Sequence, residues 1–118
     1  MNTAPKLILA PLRGVTQLTF RRCIAKHFPG FDEAYSPFLT TLAGNRIKAT
    51  HLKDVMPEAN DRLPLVPQII GKSPADFKVL LKALRDLGYN RCDLNAGCPW
   101  PMIVKRGRGS GLMKDEFA

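Results

Sequence analysis

Leu65-Val66-Pro67-Gln68-Ile69-Ile70-Gly71-Lys72-Ser73-Pro74 sets a strand, a stop and a helix start in ten consecutive residues. The apolar run predicts a strand over 65–70, and Gly71 ends it. Ser73 is a good N-cap, and Pro74 suits the first helical position, where its missing N–H costs nothing. From there Phe77, Leu80, Leu81, Leu84 and Leu87 recur at helical spacing until Gly88 stops the helix. Cys92-Asp93-Leu94-Asn95 then reads as the next strand. A strand, a crossover helix and a second strand form a βαβ unit, whose short apolar strands belong in a buried parallel sheet. Pro67 removes a ladder donor, which predicts that its strand lies at a sheet edge.

Working outward, Leu7 to Ala10 predicts a first strand, broken by Pro11-Leu12-Arg13-Gly14. Thr16 is the expected N-cap of a helix carrying Leu18, Phe20, Cys23, Ile24 and Phe28 on its apolar side, with Arg21, Arg22 and Lys26 facing solvent. Pro29-Gly30 stops it, and Glu33 to Ser36 predicts a second strand. Pro37 to Val55 has no clear period. A helix is expected near its middle, with His51 in a connecting segment. Glycines at 107, 109 and 111 follow the last strand, and a helix start is expected at Lys114-Asp115-Glu116. No repeat, low-complexity tract or linker divides the chain, so residues 1–118 are expected to form one α/β unit.

At 118 residues, 45% of them apolar and 24% charged, the chain can bury one modest core. Its net charge of +8 favours an anionic partner such as nucleic acid. Three cysteines without regular spacing argue against a disulfide framework and for a reducing compartment. No stretch approaches the roughly 20 apolar residues of a membrane helix, and the N-terminus lacks a signal-peptide core. A cytoplasmic protein that binds neither membrane nor metal is expected.

The chemistry concentrates in Asp93-Leu94-Asn95-Ala96-Gly97-Cys98-Pro99-Trp100-Pro101. Parallel α/β folds bind ligands beyond the carboxyl ends of their strands, where this run presents a carboxamide and a thiol. Gly97, through backbone freedom, and Pro99, through its fixed φ, are expected to hold Cys98 in a defined loop. Cysteine is usually a small core residue, and Cys23 and Cys92 fit that role. Cys98 stands apart, as a nucleophile or a proton donor. Neither His27 nor His51 is spaced to activate it, which favours proton donation. Gln68 is either a partly exposed strand residue or, beside Asn95, half of a carboxamide pair suited to a heteroaromatic ring. Lys105-Arg106-Gly107-Arg108-Gly109-Ser110-Gly111 lacks the spacing of an ATP-binding loop. It is either a solvated loop or a contact for an RNA backbone.

Together, Leu9 to Thr16, Phe20-Arg21, Pro67 to Gly71, Asp93 to Pro99 and Lys105 to Asp115 resemble the tRNA-dihydrouridine synthases, in the family's order and over nearly the whole chain. The resemblance implies an FMN enzyme, reduced by NADPH, that reduces the C5=C6 bond of uridines in tRNA. It implies a TIM (β/α)8 barrel followed by a helical tRNA-binding domain. Such barrels take about 250 residues, so this chain corresponds to about the first four βα units, a half-barrel. By matching position, Pro11, Leu12 and Arg13 would line the flavin, Gln68 would bond to its ring, and Asn95 would lie beside the target uracil. Cys98 would protonate C5 while reduced flavin delivers hydride to C6, and Lys105 and Arg106 would contact the tRNA. The family's later strands, its phosphate-binding loops and its helical domain would lie beyond Ala118.

Two other readings stay open. One is an FMN-dependent barrel reductase of a free pyrimidine or another small molecule, and the other is a non-catalytic RNA-binding remnant. A half-barrel would also leave apolar sheet edges open to self-association.

Overall fold

The computed structural model describes residues 4–114. In chain order its first elements are β1 (Ile8–Leu9), α1 (Leu18–His27), β2 (Glu33–Tyr35), β3 (Thr41–Leu42), β4 (Arg46–Ile47) and α2 (Ala49–Asp54). There follow β5 (Leu65–Val66), β6 (Gln68–Ile69), α3 (Pro74–Asp86), β7 (Asp93–Leu94) and α4 (Pro101–Val104). β1, β2 and β5 form a parallel sheet in that order, and β6 pairs in parallel with β7. The strands alternate with α1 and α3, as the βαβ reading requires. No helix among the described residues is long and apolar enough to cross a membrane.

The strand predicted over 65–70 divides at Pro67. On one side β5 pairs with β2; on the other β6 pairs with β7. Pro67 is fully buried, and its carbonyl accepts from Asp93 N–H at 2.9 Å. The edge expectation is therefore corrected. Pro67 lies between Val66 O, which accepts from Ser36 N–H, and Gln68 N–H, which donates to the Ser36 hydroxyl. The segment keeps a neighbour on that side at Leu39, which bridges Ile69, while β7 pairs on the other.

α3 follows its sequence signals closely. The Ser73 hydroxyl accepts from Asp76 N–H at 3.2 Å, Pro74 opens the helix, and Gly88 leaves it with a left-handed φ of +93°. Its apolar face delivers Leu80 and Leu84 to the core beside Leu39, Val55 and Ile69. Burying each such leucine is worth about 1.5–3 kcal/mol. Cys92 packs against this core, as expected.

α1 departs from its predicted orientation. Gln17, not Thr16, is the N-cap; the Thr16 hydroxyl instead accepts from Leu12 N–H at 2.7 Å inside the preceding turn. Arg21, expected in solvent, is only 2% exposed, whereas Cys23, expected in the core, is exposed along with Phe20 and Phe28. The guanidinium decides this. It donates to Asp54 Oδ2 at 2.9 Å, Thr16 O at 2.8 Å and Asn60 Oδ1 at 3.0 Å, and these fixed acceptors turn the arginine inward.

Pro37 to Val55 holds an antiparallel β3–β4 hairpin where a helix was expected, and α2, carrying His51, comes later in the segment. Past α4 the glycine-rich run is packed rather than a solvated loop. It winds into a 3₁₀ helix over Gly109–Lys114 with Gly109 and Gly111 buried. A Cβ on Gly109 would stand 2.7 Å from the Cys98 carbonyl oxygen, and the residue's φ is +58°. The helix start expected at Lys114-Asp115-Glu116 lies largely outside the described residues.

Candidate active site at the carboxyl ends of the strands

Alternate residues of one strand share a face, so Asp93 and Asn95 both look toward Gln68 on the neighbouring strand. The Gln68 amide donates through Nε2 to Asp93 Oδ2 at 2.7 Å, and its Oε1 accepts from Asn95 Nδ2 at 3.0 Å. Asn95 then turns the chain. Its Oδ1 accepts from Gly97 N–H at 3.2 Å and from Cys98 N–H at 2.9 Å. Asp93, Gln68, Asn95 and Cys98 thus form one hydrogen-bonded series, running from the buried Gln68 out to the half-buried Cys98 loop.

The Cys98 loop is defined, but not by the device expected. Gly97 is not among the glycines with left-handed backbone, so its special conformational freedom is not used. The Asn95 side chain does the work as an Asx turn. From the other side Ser110 N–H donates to the Cys98 carbonyl at 3.0 Å, and Gly109 makes room for that approach.

Arg108 fixes the Gly109–Ser110 buttress to the rest of the fold. Its guanidinium donates to the Thr40 and Thr41 hydroxyls and lies 3.6 Å from Asp76 Oδ1. Asp76 accepts in turn from the Thr41 hydroxyl at 2.6 Å and Lys72 N–H at 3.0 Å. Burial alone would push the Asp76 carboxyl up. The bonds from Thr41 and the Lys72 amide, the charge of Arg108 and the Ser73 bond outweigh it and hold the carboxyl below the ordinary carboxylate range. A carboxyl depressed in the folded state stabilises the fold above its unfolded pKa, and that contribution disappears as pH falls through the folded value. Asp76→Asn is expected to flatten the acid limb of the stability curve, measured by urea unfolding from about pH 5 to about pH 2. An acid limb as steep as the wild type's would refute this.

The remaining predicted residues fall in two places. Pro11, Leu12 and Arg13 form the loop after β1, with Leu12 exposed and the Arg13 guanidinium 5.4 Å from the centroid of the Phe38 ring. Lys105 and Arg106 are exposed just past α4. The structure therefore joins Gln68, Asn95 and Cys98 in one series, while the loop after β1 stands on the far side of β2. Sequence reasoning missed Asp93, Thr41 and Asp76 as supports. Period-two spacing from Asn95 was the available signal for Asp93; Thr41 and Asp76 had none, since their partner is Arg108.

A second feature opens at the same rim, a cleft of about 460 Å³ between the loops after β1 and β2, the start of α1 and the length of α2. Arg13, Phe38, Lys48, His51, Lys53 and Asp54 are on its walls. Burial lowers the His51 pKa, the charges of Lys48 and Arg13 lower it further, and Asp54 opposes them.

Comparison with known proteins gives a consistent picture. The family model described as Dihydrouridine synthase (Dus) matches residues 8–117. A protein of Staphylococcus epidermidis (strain ATCC 35984) named probable tRNA-dihydrouridine synthase is 32% identical over 110 residues, which cover 92% of this chain and 33% of that protein. A protein of the same name from Staphylococcus aureus (strain COL) is 31% identical with the same coverage. Probable tRNA-dihydrouridine synthase 2 of Bacillus subtilis (strain 168) is 28% identical over 92% of this chain and 34% of its own length. The chain spans about a third of the length of these curated relatives.

Proposed function

Because the chain belongs to the dihydrouridine synthase family, we propose that it carries part of an oxidoreductase converting uridine in tRNA to 5,6-dihydrouridine. On this reading residues 1–118 are the first four βα units of a TIM barrel, with FMN as cofactor and NADPH as reductant. The observation that carries it is the series from Gln68 through Asn95 to the Cys98 loop, at the carboxyl ends of parallel strands.

The donor set suits a flavin ring. Among the described residues Gln68 Nε2 and Asn95 Nδ2 each make one hydrogen bond and keep a second N–H for a planar heterocycle. Leu12, 58% exposed, offers apolar surface from the loop after β1. Pro11, Leu12 and the backbone of Arg13 would hold the flavin on one side and Gln68 on the other. When bound, the reduced flavin supplies a hydride to uracil C6. Asn95 lies beside the uracil, and Cys98 gives its thiol proton to C5, leaving a thiolate that solvent reprotonates. Lys105 and Arg106 contact the RNA backbone while the base is drawn out of its stack.

Supplying the chain with FMN, NADPH and an unmodified tRNA transcript is expected to yield dihydrouridine, counted by mass spectrometry of digested nucleosides. Equal reduction of free uridine would replace this reading with a small-molecule reductase. Salt-sensitive tRNA binding with neither flavin uptake nor product would replace it with an RNA-binding module.

A further inference from the structure

The cleft beside α2 is not part of the Gln68–Asn95–Cys98 series, yet its charge is arranged for a ligand. Arg13 comes from the loop after β1, Lys48 is the N-cap of α2, and Lys53 stands in its last turn. The carboxylate on the walls, Asp54, is already engaged. Its Oδ1 accepts from Leu18 N–H at 2.7 Å and its Oδ2 from Arg21 at 2.9 Å, so Arg21 neutralises it from behind. Three cations therefore face the opening with no free carboxylate on its walls among the described residues. Phe38, under the Arg13 guanidinium, adds a flat apolar surface. Cations beside an aromatic ring are how proteins hold phosphates and stack bases of a nucleic-acid strand. At about 460 Å³ the cleft has room for more than one small anion. It lies beyond the carboxyl ends of β1 and β2, on the same rim as the Cys98 loop beyond β7.

The geometry points to this cleft as a phosphodiester subsite, in which Lys48, Lys53 and His51 grip the backbone of the tRNA strand away from the reacting uridine while Arg13 and Phe38 flank it. The inference rests on the tRNA reading above. His51 faces Lys48, Arg13 and Asp54, and a bound phosphate adds the negative charge this set lacks.

The test is fluorescence anisotropy of a labelled, unmodified tRNA transcript titrated with the chain at several salt concentrations. Lys48→Gln combined with Lys53→Gln is expected to weaken binding on the order of tenfold and to lower the slope of log affinity against log salt by roughly one per lysine. Lys78→Gln with Lys82→Gln, on the exposed face of α3, removes the same charge elsewhere and is expected to change neither. All four lysines are exposed, so none of these variants threatens the fold. Full affinity and slope in the α2 pair, an equal loss in the α3 pair, or no binding by wild type would each overturn the subsite. Proton NMR gives a local reading, since RNA should raise the His51 pKa from its lowered value; an unmoved His51 would place the strand elsewhere. Flavin uptake separates this inference from the reading beneath it. The Gln68 side is expected to take up FMN equally in the wild type and the α2 pair, so loss of RNA affinity with flavin retained tests the cleft alone.

Discussion

Cys98→Ala is expected to lower dihydrouridine formation by about 10²–10⁴-fold, the usual contribution of a positioned general acid, while flavin and tRNA binding persist. The contacts that shape the loop are main-chain contacts: Cys98 N–H to Asn95 Oδ1 and the Cys98 carbonyl to Ser110 N–H. Alanine keeps both. The substitution therefore removes the proton and not the loop, and a loss of turnover can be assigned to chemistry. Cys98→Ser should retain geometry still more closely but supply a far weaker acid, placing its rate near that of alanine. Single-turnover reduction of a tRNA transcript, with affinity measured in parallel, checks both variants. Unchanged turnover in the alanine variant would remove Cys98 from the mechanism.

Sequence legibility followed the range of the interactions involved. α3 could be read because Ser73, Pro74, the leucine spacing and Gly88 are local signals, each acting within a turn of where it stands. The pairing of Gln68 with Asn95 was legible because parallel strands place their polar residues at one rim. The β3–β4 hairpin was missed because its strands are two residues long and show no period. Gly44 and Asn45, both with left-handed φ, were its one available mark. Pro67 misled because its lost donor alone points to an edge, whereas its carbonyl still accepts from Asp93 N–H and the residues around it are held by Ser36 and Leu39 on the other side. Arg21 and Arg108 were beyond local reasoning altogether. An arginine is placed outside unless its acceptors are known, and those of Arg21 lie as far as Asp54 and Asn60, those of Arg108 at Thr40 and Thr41.

Arg21→Ala should show how much the fold depends on such a residue, with an expected loss of about 3–5 kcal/mol, the range for breaking a buried ion pair by removing one partner. The guanidinium joins α1 to α2 and to the turn at Asn60, and it satisfies the main-chain carbonyls of Thr16 and Asp54. Alanine takes the guanidinium donor from those carbonyls and from Oδ2 of the mostly buried Asp54 carboxylate, leaving Asp54 the bonds from Leu18 N–H to Oδ1 and from Asn60 Nδ2 to its carbonyl. Against a typical total of about 5–15 kcal/mol this brings the domain close to unfolding at room temperature. Arg21→Lys keeps the charge but cannot reach acceptors on both sides of a fork, so it should recover only part of the loss. The exposed Lys82–Asp86 pair on α3 is the contrast, because breaking it should cost no more than about 0.5 kcal/mol. Urea unfolding of the three variants measures the order, and a cost for Arg21→Ala no greater than that of the surface pair would refute the account. The same substitution frees Asp54 to place an unneutralised carboxylate on the cleft wall. RNA affinity should then fall in whatever fraction remains folded, while flavin uptake at Gln68 should not, which ties the inward turn of α1 to the charge of the site it borders.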